Sequence, residues 1–306
     1  MTQPKTDFIW MDGKLVPWDD ANVHILTHTL HYGTGVFEGI RCYETGKGSA
    51  VFRHREHIER LFRSAHITGY EIPFTQDDVM SAVRETIGKN GMKECYIRPI
   101  AYLGTEGRGL NPIGLGVHLS IAVWPWGTYL GEEALKNGIR VGTSSFTRHH
   151  PNIAMTKSKA TGPYLNSVLA KQEAIKNGFD EAILLDPSGY VAEGSGENIF
   201  IVTNGKLKTP PLTSILDGIT RDCIFTIAAD NSISVTEQYF SRDELYMADE
   251  VFLTGTAAEL TPICEVDHRK VGGGSIGPVT KKLQNIYFGA IRGKNDKYLN
   301  WLDFLK

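Results

Sequence analysis

The sequence predicts an α+β fold divided into two domains. With 306 residues, the chain exceeds the size at which a single hydrophobic core usually stops growing. Apolar residues recur with the period of strands in some segments and of helices in others, without the strict alternation that a doubly wound sheet requires. Between Trp126 and Gly138 the pattern weakens. We therefore predict an N-terminal domain over 1–130, a linker over 131–138 and a C-terminal domain over 139–306.

A hairpin opens the N-terminal part. Residues 8–11 and 14–18 read as strands, and Asp12-Gly13 between them is a turn pair that tolerates positive φ. Further along, Thr75 followed by Asp78 has the spacing of a helix capping box. The remaining elements predicted here are a helix at 54–69, a helix from Thr75 to Gly91, and strands at 96–104 and 117–126.

A helix with an apolar stripe is predicted in the C-terminal part. Leu165, Val168, Leu169 and Ile175 recur at helical spacing, and Gly178 ends the pattern. The other elements predicted here are a strand at 139–146, hairpins at 182–194 and 199–209, a helix at 220–230, a helix capped by Ser241 and Glu244, a strand at 250–256 and a helix at 278–291.

Charge and composition exclude several kinds of partner. The net charge is -3 and no run of like charges forms a basic stripe, so we expect no nucleic acid partner. The N-terminus lacks the pattern of a signal peptide, and no segment approaches the roughly 18 apolar residues that span a bilayer. The four cysteines form no C-x-x-C pair, which argues against a zinc site. We expect a cytoplasmic protein with no membrane partner and no metal.

Two lysines, Lys157 and Lys159, lie between a strand-like run and a predicted helix. Most lysines are solvated surface charges. Here, however, the flanking residues are small, so a bulky cofactor could approach the backbone. A lysine amine that is desolvated or placed beside a cation loses its proton more readily, and only the neutral amine forms a Schiff base. The spacing alone does not choose between the two lysines.

Two segments have the pattern of phosphate receptors. In LDGITRD, Gly218, Ile219 and Thr220 stand at the start of a predicted helix, where unpaired N–H groups and the helix dipole attract an anion. In TGTAAE, residues 254–257 follow a strand and offer a second group of N–H donors. Each alone is more typical of a plain cap or turn. A cofactor phosphate needs several donors at once, so the pair, with Arg60, favours a phosphate site.

Glu193 stands near the end of a hairpin strand, before a glycine-flanked loop. One interpretation of Glu193 is an ordinary surface carboxylate with no role in a binding site. A carboxylate beside the nitrogen of a pyridine cofactor keeps that ring protonated and able to accept electrons. Glu197 is an alternative carboxylate, for which a structural role beside the following strand is the better interpretation.

Six motifs, in order, resemble the branched-chain-amino-acid aminotransferases, which are pyridoxal-phosphate (PLP) enzymes of fold type IV. The motifs are HYGTGVFEGIRCY (31–43), YIRP (96–99), SKATGPYLNS (158–167), GYVAEGSGENIF (189–200), LDGIT (216–220) and TGTAAELTP (254–262). The resemblance implies a smaller N-terminal α/β sandwich and a larger C-terminal pseudo-barrel that binds PLP. It also implies transamination between Leu, Ile or Val and 2-oxoglutarate, and at least a homodimer.

The resemblance assigns the cofactor contacts. The K-A-x-G-x-Y match makes Lys159, rather than Lys157, the lysine that joins PLP and carries the proton. It places Tyr164 near the cofactor hydroxyl and Glu193 at the pyridine nitrogen. The phosphate contacts that it implies are Arg60, Gly218, Ile219, Thr220 and Thr256.

The resemblance also implies a substrate site. Backbone N–H groups of Thr256 and Ala257, helped by Tyr96, hold the α-carboxylate, and Arg98 with the Tyr32 hydroxyl pairs with the distal carboxylate of glutamate. Apolar walls suit an aliphatic side chain. The implied wall residues are Tyr32, Phe37, Gly39, Trp126, Tyr129 and Tyr164, whereas Trp10 and Trp124 are interpreted as core.

This chain departs from the family pattern most notably at Arg108, where relatives commonly have an apolar residue. The loop EGRGLNP that contains it reaches, in the family, into the neighbouring subunit's pocket. An added cation there favours substrates with a second carboxylate, so Arg108 is included among the substrate residues.

Rival functions remain open within and outside the fold. Within it, the rivals are a D-amino-acid aminotransferase, an (R)-amine transaminase and a PLP lyase such as aminodeoxychorismate lyase. Tyr32, Phe37, Tyr96 and Arg98 together favour the branched-chain subgroup. Outside it, the rival is a non-catalytic phosphate-binding protein.

Overall fold

The computed structural model describes residues 5–127 and 131–305. Its strands are β1 Phe8–Met11, β2 Lys14–Pro17, β3 Val36–Phe37, β4 Ile40–Thr45, β5 Gly48–Phe52, β6 Cys95–Leu103, β7 Val117–Trp124, β8 Ile139–Thr143, β9 Glu181–Leu185, β10 Val191–Gly194, β11 Asn198–Thr203, β12 Lys206–Thr209, β13 Val235–Glu237, β14 Glu250–Gly255, β15 Glu259–Val266, β16 Arg269–Lys270 and β17 Leu302–Phe304. Its α-helices are α1 His28–Tyr32, α2 His54–Thr68, α3 Gln76–Lys89, α4 Glu132–Asn137, α5 Tyr164–Lys176, α6 Ile219–Asp230, α7 Arg242–Met247 and α8 Pro278–Ile291. Strands and helices are mixed without strict alternation, as predicted for an α+β protein.

The described chain divides into two compact units whose boundaries differ from the predicted ones. The first unit contains 5–126, Lys157–Gly162 and 290–305, and the second contains the rest. The segment 157–162 joins the first unit because the N–H of Phe37 donates to the carbonyl of Lys159 at 3.0 Å. The C-terminal segment joins it because β17 pairs with β5. The predicted linker at 131–138 is largely helix α4, which packs within the second unit.

The sheet of the first unit has the order β17-β5-β4-β6-β7-β1-β2, with β3 paired to β6. The predicted hairpin is confirmed, because β1 and β2 pair antiparallel across Asp12-Gly13 and both turn residues have positive φ. Trp10, interpreted as a core residue, is buried in this unit. Strand pairing in this sheet therefore fixes the positions of β3 and β6 and of the side chains that they carry.

Helices α2 and α3 pack against this sheet. Ile58, Leu61 and Ala65 of α2 are buried in the core of the unit, as their helical spacing predicts. The start of α3 has the predicted capping box, in which the hydroxyl of Thr75 accepts from the N–H of Asp78 and the Asp78 carboxylate accepts from the N–H of Thr75. Both helix predictions are confirmed.

The sheet of the second unit has the order β10-β9-β8-β15-β14-β11-β12-β13, with β16 paired to β15. The predicted hairpins β9–β10 and β11–β12 are both present, the second turning at Asn204-Gly205. Parallel pairing joins β8 to both β9 and β15. These non-local pairings hold together segments that are far apart in the sequence.

Two helices of the second unit are present as predicted but differ in detail from what the residue spacing predicts. Helix α5 is present as predicted, but Leu165 and Val168 of its apolar stripe are 65% and 58% exposed. Small residues cover the inner face of α5 instead, because Ala170 and Ala174 pack on β9. Helix α7 begins after Ser241, whose hydroxyl bonds to Asp243 rather than capping the backbone. Within 5–127 and 131–305, no helix combines the length and apolar character needed to cross a membrane.

Candidate active site

Lys159 is held by its backbone in the first unit. Its N–H donates to the hydroxyl of Ser64 on α2 at 3.0 Å, and its carbonyl accepts from the N–H of Phe37 on β3 at 3.0 Å. Its amine lies 5.0 Å from the centre of the Phe37 ring. Lys159 is half-buried rather than fully solvated. A lysine fixed in this way presents its amine in a defined direction.

The backbone beside Lys159 makes a close approach that only glycine allows. Gly33, which has φ +65°, accepts a hydrogen bond from the N–H of Gly162 at 2.9 Å. A Cβ on Gly33 would lie 2.6 Å from the Cα of Gly162. The two glycines therefore fix the end of the lysine segment against α1.

Arg98 lies among aromatic rings on the first unit's sheet. Its guanidinium carbon is 4.7 Å from the ring centre of Phe37, 5.3 Å from that of Tyr96 and 5.9 Å from that of Trp124. Its Nη2 donates to the Tyr96 hydroxyl at 3.2 Å. Among the described residues its buried Nε has no hydrogen-bond partner. Trp124, interpreted from sequence as core, instead forms part of this aromatic group.

Gly39 and Trp126 border the same group. A Cβ on Gly39 would lie 2.0 Å from the Tyr96 hydroxyl, so this position requires glycine. The Trp126 ring centre is 5.1 Å from that of Tyr96. The first unit thus brings together an amine, a guanidinium and apolar ring faces, all contacting Phe37 or Tyr96. Tyr129, also predicted as a wall residue, lies outside the described residues.

Arg60 forms a buried charge cluster with Glu38 and His57. Its Nε and Nη2 donate to the two Glu38 oxygens at 2.6 and 2.9 Å, and the His57 Nδ1 donates to Glu38 at 2.7 Å. Although burial alone raises the pKa of Glu38, the charges of Arg60 and His57 hold it well below its usual range. Burial lowers the pKa of His57. The phosphate role of Arg60 stays a prediction.

Glu193, on β10 of the second unit, is buried and held by three hydrogen-bond donors and an ion pair. The Arg148 Nε donates to its Oε1 at 2.8 Å, and the Arg148 Nη2 forms an ion pair with the same oxygen, also at 2.8 Å. The Oε2 accepts from the N–H of Leu216 at 3.2 Å and from the Asn198 amide at 3.4 Å. The register between β9 and β10 shifts between Val191 and Glu193, which re-aims the side chain. The geometry yields a carboxylate of fixed orientation.

The predicted anion-binding helix start is present in the second unit. Helix α6 begins at Ile219, and its N-cap residue, Gly218, has no side chain that could cap the first turn. Ile219 and Thr220 are buried. A Cβ on Gly218 would lie 1.9 Å from the Asn198 side-chain oxygen, so the backbone passes very close to that amide. The first-turn N–H groups therefore keep the capacity to bind an anion.

The second predicted anion segment forms the tight connection between β14 and β15. Thr254 pairs with Asn198 across the sheet, and its buried hydroxyl has no hydrogen-bond partner among the described residues. Thr256 and Ala257 follow it in the half-buried turn. Asn198 also donates to the carbonyl of Leu216 at 3.0 Å. Asn198 therefore ties both predicted anion segments to Glu193.

Glu197 is buried close to a second carboxylate. Burial, followed by the charge of Glu181, raises the pKa of Glu197 to about 8. Its Oε2 accepts from the N–H of Gly196 at 3.1 Å. Glu181 pairs with Lys171 of α5 at 2.6 Å. Glu197 therefore holds a proton at neutral pH.

Comparison with known proteins identifies the family. Residues 35–266 match the family described as Amino-transferase class IV. The chain belongs to the class IV aminotransferases. It is 55% identical over 298 residues to the branched-chain-amino-acid aminotransferase of Pseudomonas aeruginosa, covering 97% of each chain.

This class IV aminotransferase shares its fold with solved structures of branched-chain amino acid aminotransferases. The crystal structure of the Escherichia coli branched-chain amino acid aminotransferase is 49% identical, with a TM-score of 0.97, and covers 99% of this chain and 100% of its own. The crystal structure of the branched-chain amino acid aminotransferase from Thermobaculum terrenum, in its PLP-bound holo form, is 34% identical, with a TM-score of 0.91 and coverage of 98% of each chain. The predicted fold type IV is confirmed.

Tyr32 and Arg108 are exposed in a single chain of this class IV aminotransferase, and among the described contacts neither touches the aromatic group around Arg98. Tyr32 is exposed, and its ring packs on His28 with centres 4.6 Å apart. Arg108 is exposed in the loop after β6. The His28 Nε2 donates to the carbonyl of Gly109 at 3.0 Å, which joins the loop to α1. Tyr32 and Arg108 therefore share one surface element.

Three polar partners of the predicted site residues were not identified from the sequence, although Glu38 and Asn198 lie within the quoted motifs. They are Arg148 at Glu193, Glu38 at Arg60, and Asn198 at both anion segments. The available signal was general: a buried charge requires a charged or hydrogen-bonding partner. That rule predicts that a partner exists, but the partner's position depends on strand pairing over long distances.

Proposed function

We propose that this aminotransferase uses PLP to move the amino group between branched-chain L-amino acids (Leu, Ile, Val) and 2-oxoglutarate, giving branched 2-oxo acids and L-glutamate. The single observation that carries the proposal is the ring of Phe37. The Lys159 amine lies 5.0 Å, and the Arg98 guanidinium carbon 4.7 Å, from its centre. The amine therefore lies beside an apolar ring face, which suits an aliphatic side chain, and beside a cation, which suits the distal carboxylate of glutamate.

The donor chemistry of the second unit fits PLP. The start of α6, which has a glycine at its N-cap, suits an anionic phosphate, as does the buried hydroxyl of Thr254, which has no hydrogen-bond partner among the described residues. The buried carboxylate of Glu193 suits a protonated pyridine nitrogen. The residues that would hold the phosphate are Arg60, Gly218, Ile219, Thr220 and Thr256.

Lys159, Glu193 and Tyr164 are assigned roles in the transfer of a proton from the substrate Cα. PLP, when bound, supplies an electron sink that stabilises the charge left when the substrate Cα loses its proton. Lys159 would hold the cofactor and then move that proton. Glu193 would keep the ring nitrogen protonated, and Tyr164 would lie at the cofactor hydroxyl. The first 2-oxo acid leaves before the second binds, so ping-pong kinetics are expected.

Substrate recognition is assigned to backbone and pocket groups. The N–H groups of Thr256 and Ala257, with Tyr96, bind the α-carboxylate. Arg98 binds the distal carboxylate of glutamate and otherwise stays against its aromatic neighbours. The residues proposed as walls of the side-chain pocket are Tyr32, Phe37, Gly39, Trp126, Tyr129 and Tyr164.

We infer that the enzyme is a cytoplasmic homo-oligomer, at least a dimer. A group of large apolar side chains in the first unit is exposed in the single chain, which supports a subunit interface. The exposed residues are Val23, Ile25, Leu26, Leu30, Tyr32, Leu110 and Ile113. Arg108 and Tyr32 belong to this surface, so the partner subunit's pocket is where we propose that they act.

Borohydride reduction followed by peptide mapping tests the cofactor assignment. We expect a pyridoxyl group on the peptide that contains Lys159, and an adduct on Lys157 would refute the assignment.

Side-by-side assays of L-leucine, D-alanine and 1-phenylethylamine then test the substrate class. Turnover of L-leucine alone supports the proposal, whereas turnover of either other amine favours a rival within the fold. A protein that stays colourless after incubation with PLP favours a non-catalytic phosphate-binding protein.

A further inference from the structure

Arg148 is a buried cation of the second unit that contacts both a strand and a helix. The residue is 8% exposed. Its backbone N–H donates to the carbonyl of Leu185 at 2.8 Å, which fixes the chain after β8 to β9. Its Nη1 donates to the Ser167 hydroxyl at 3.0 Å and to the Asn166 side-chain oxygen at 3.3 Å, both on α5. Its Nε and Nη2 remain for Glu193.

The donors to Glu193 are distributed unequally between its two oxygens. Oε1 accepts from the Arg148 Nε at 2.8 Å and forms an ion pair with the Arg148 Nη2, also at 2.8 Å. Oε2 accepts only the longer bonds from Leu216 at 3.2 Å and Asn198 at 3.4 Å among the hydrogen bonds described here. Charge-assisted bonds are shorter and stronger than neutral ones. Oε1 is therefore firmly anchored, and Oε2 keeps the capacity to accept from a stronger donor.

We propose that Arg148 is a positioning residue for the cofactor, which anchors Glu193 through Oε1 as a carboxylate and leaves Oε2 for the protonated pyridine nitrogen. The inference rests on the proposed function, since it requires PLP beside Glu193. The contacts of Arg148 with α5 brace the guanidinium for this role, and α5 begins at Tyr164, three residues before Ser167. One guanidinium therefore connects the group proposed at the ring nitrogen with the helix that carries the group proposed at the ring hydroxyl.

Removal of Arg148 acts on the charge of Glu193. A buried carboxylate that loses its cationic partner is left uncompensated and is no longer anchored in one orientation. The ring nitrogen then loses the fixed acceptor that Glu193 provides. Cofactor affinity is thus the property that Arg148 controls, and it is measurable without turnover.

The test is the dissociation constant of PLP from the full-length apoprotein, measured by absorbance titration. We expect Arg148→Gln to weaken PLP binding by about tenfold or more, because it removes the charge. We expect Arg148→Lys to weaken it by about threefold, because lysine keeps the charge but loses the two-pronged contact. The matched control Arg140→Gln, at an arginine half-exposed beside Asp180, should leave the affinity unchanged.

A double-mutant cycle distinguishes this role from a merely structural one. If Arg148 acts through Glu193, the loss caused by Arg148→Gln should shrink to less than about twofold when Glu193→Gln is already present. An equal loss in both backgrounds, or an Arg148→Gln affinity within about twofold of the wild-type value, overturns the inference. Where circular dichroism shows that Arg148→Gln is unfolded, the same cycle run with Arg148→Lys decides by the same criterion of a loss that depends on Glu193.

The proposed function and this inference fail in different ways. A wild-type apoprotein that does not take up PLP refutes the proposed function. A wild-type apoprotein that binds PLP, with Arg148 variants that bind it equally well, refutes only the role of Arg148.

Discussion

Replacement of Glu197 by glutamine should change how stability depends on pH. Glu197 is buried beside Glu181, and its Oε2 accepts from the N–H of Gly196. Burial and the Glu181 charge raise its pKa from an ordinary 4.5 to about 8. Glutamine has the shape of the protonated side chain and keeps an oxygen acceptor for Gly196. The variant therefore mimics the protonated state at every pH.

The expected magnitude follows from proton linkage. Between pH 4.5 and about 8 the folded protein holds the Glu197 proton and the unfolded chain does not. Because the folded state binds more protons, its free energy of unfolding falls as pH rises, by about 1.4 kcal/mol per pH unit. The contribution of the protonated carboxyl is fully present below pH 4.5 and lost above pH 8. Across the window the loss amounts to about 5 kcal/mol.

Urea unfolding of the wild-type protein and Glu197→Gln between pH 5 and 8, at one protein concentration, measures this difference. We expect the stability of the variant relative to the wild-type protein to increase steadily with pH across that range. The matched control is Glu71→Gln, because Glu71 is an exposed glutamate. A difference between wild type and Glu197→Gln that stays constant from pH 5 to 8 would show that Glu197 is ionised throughout, and the reasoning would be wrong.

Three further variants test the proposed active site. Lys159→Ala should abolish the borohydride-fixed pyridoxyl group and lower leucine transamination by at least about a thousandfold, and an unchanged adduct would refute the role of Lys159. Gly39→Ala should lower kcat/KM for leucine at least about tenfold, because its Cβ would lie 2.0 Å from the Tyr96 hydroxyl. Adding Tyr96→Phe should recover part of that loss, and no loss in the single variant contradicts the close contact. Arg108→Met should raise the efficiency for leucine relative to glutamate, and an unchanged ratio speaks against a role for that cation in specificity.

Local patterns predicted the elements whose structure is determined locally. The start of α3 followed from Thr75 and Asp78, whose side chains both bond to the helix backbone. The first hairpin followed from Asp12-Gly13, since few residue pairs accept positive φ at both positions. Helix α8 has the predicted bounds. In each case the physical cause lies within a few residues in the sequence.

Features that depend on distant segments did not follow from such patterns. Spacing left Lys157 and Lys159 equivalent, because the bonds that hold Lys159 come from distant segments: its N–H donates to the Ser64 hydroxyl on α2, and its carbonyl accepts from the N–H of Phe37 on β3. Trp124 was interpreted as core, yet it lies beside Arg98, on the face of β7 opposite the buried Leu119, Ile121 and Val123. The assignment of Lys159 therefore rests on family resemblance, and the aromatic setting of the arginine was available only from the fold.

Three of the buried carboxylates, those of Glu38, Glu193 and Glu197, differ in their capacity to accept from a ligand. Both oxygens of Glu38 accept short bonds, from Arg60 and His57, so this carboxylate is fully engaged. Glu197 meets the cost of burial by keeping its proton, which makes it a poor partner for a cation. Glu193 alone of the three has one oxygen anchored by a cation and the other with only long contacts. A partly satisfied buried carboxylate is costly unless a further donor arrives. The hydrogen-bonding pattern therefore favours Glu193 over the other two as the acceptor for a protonated ring.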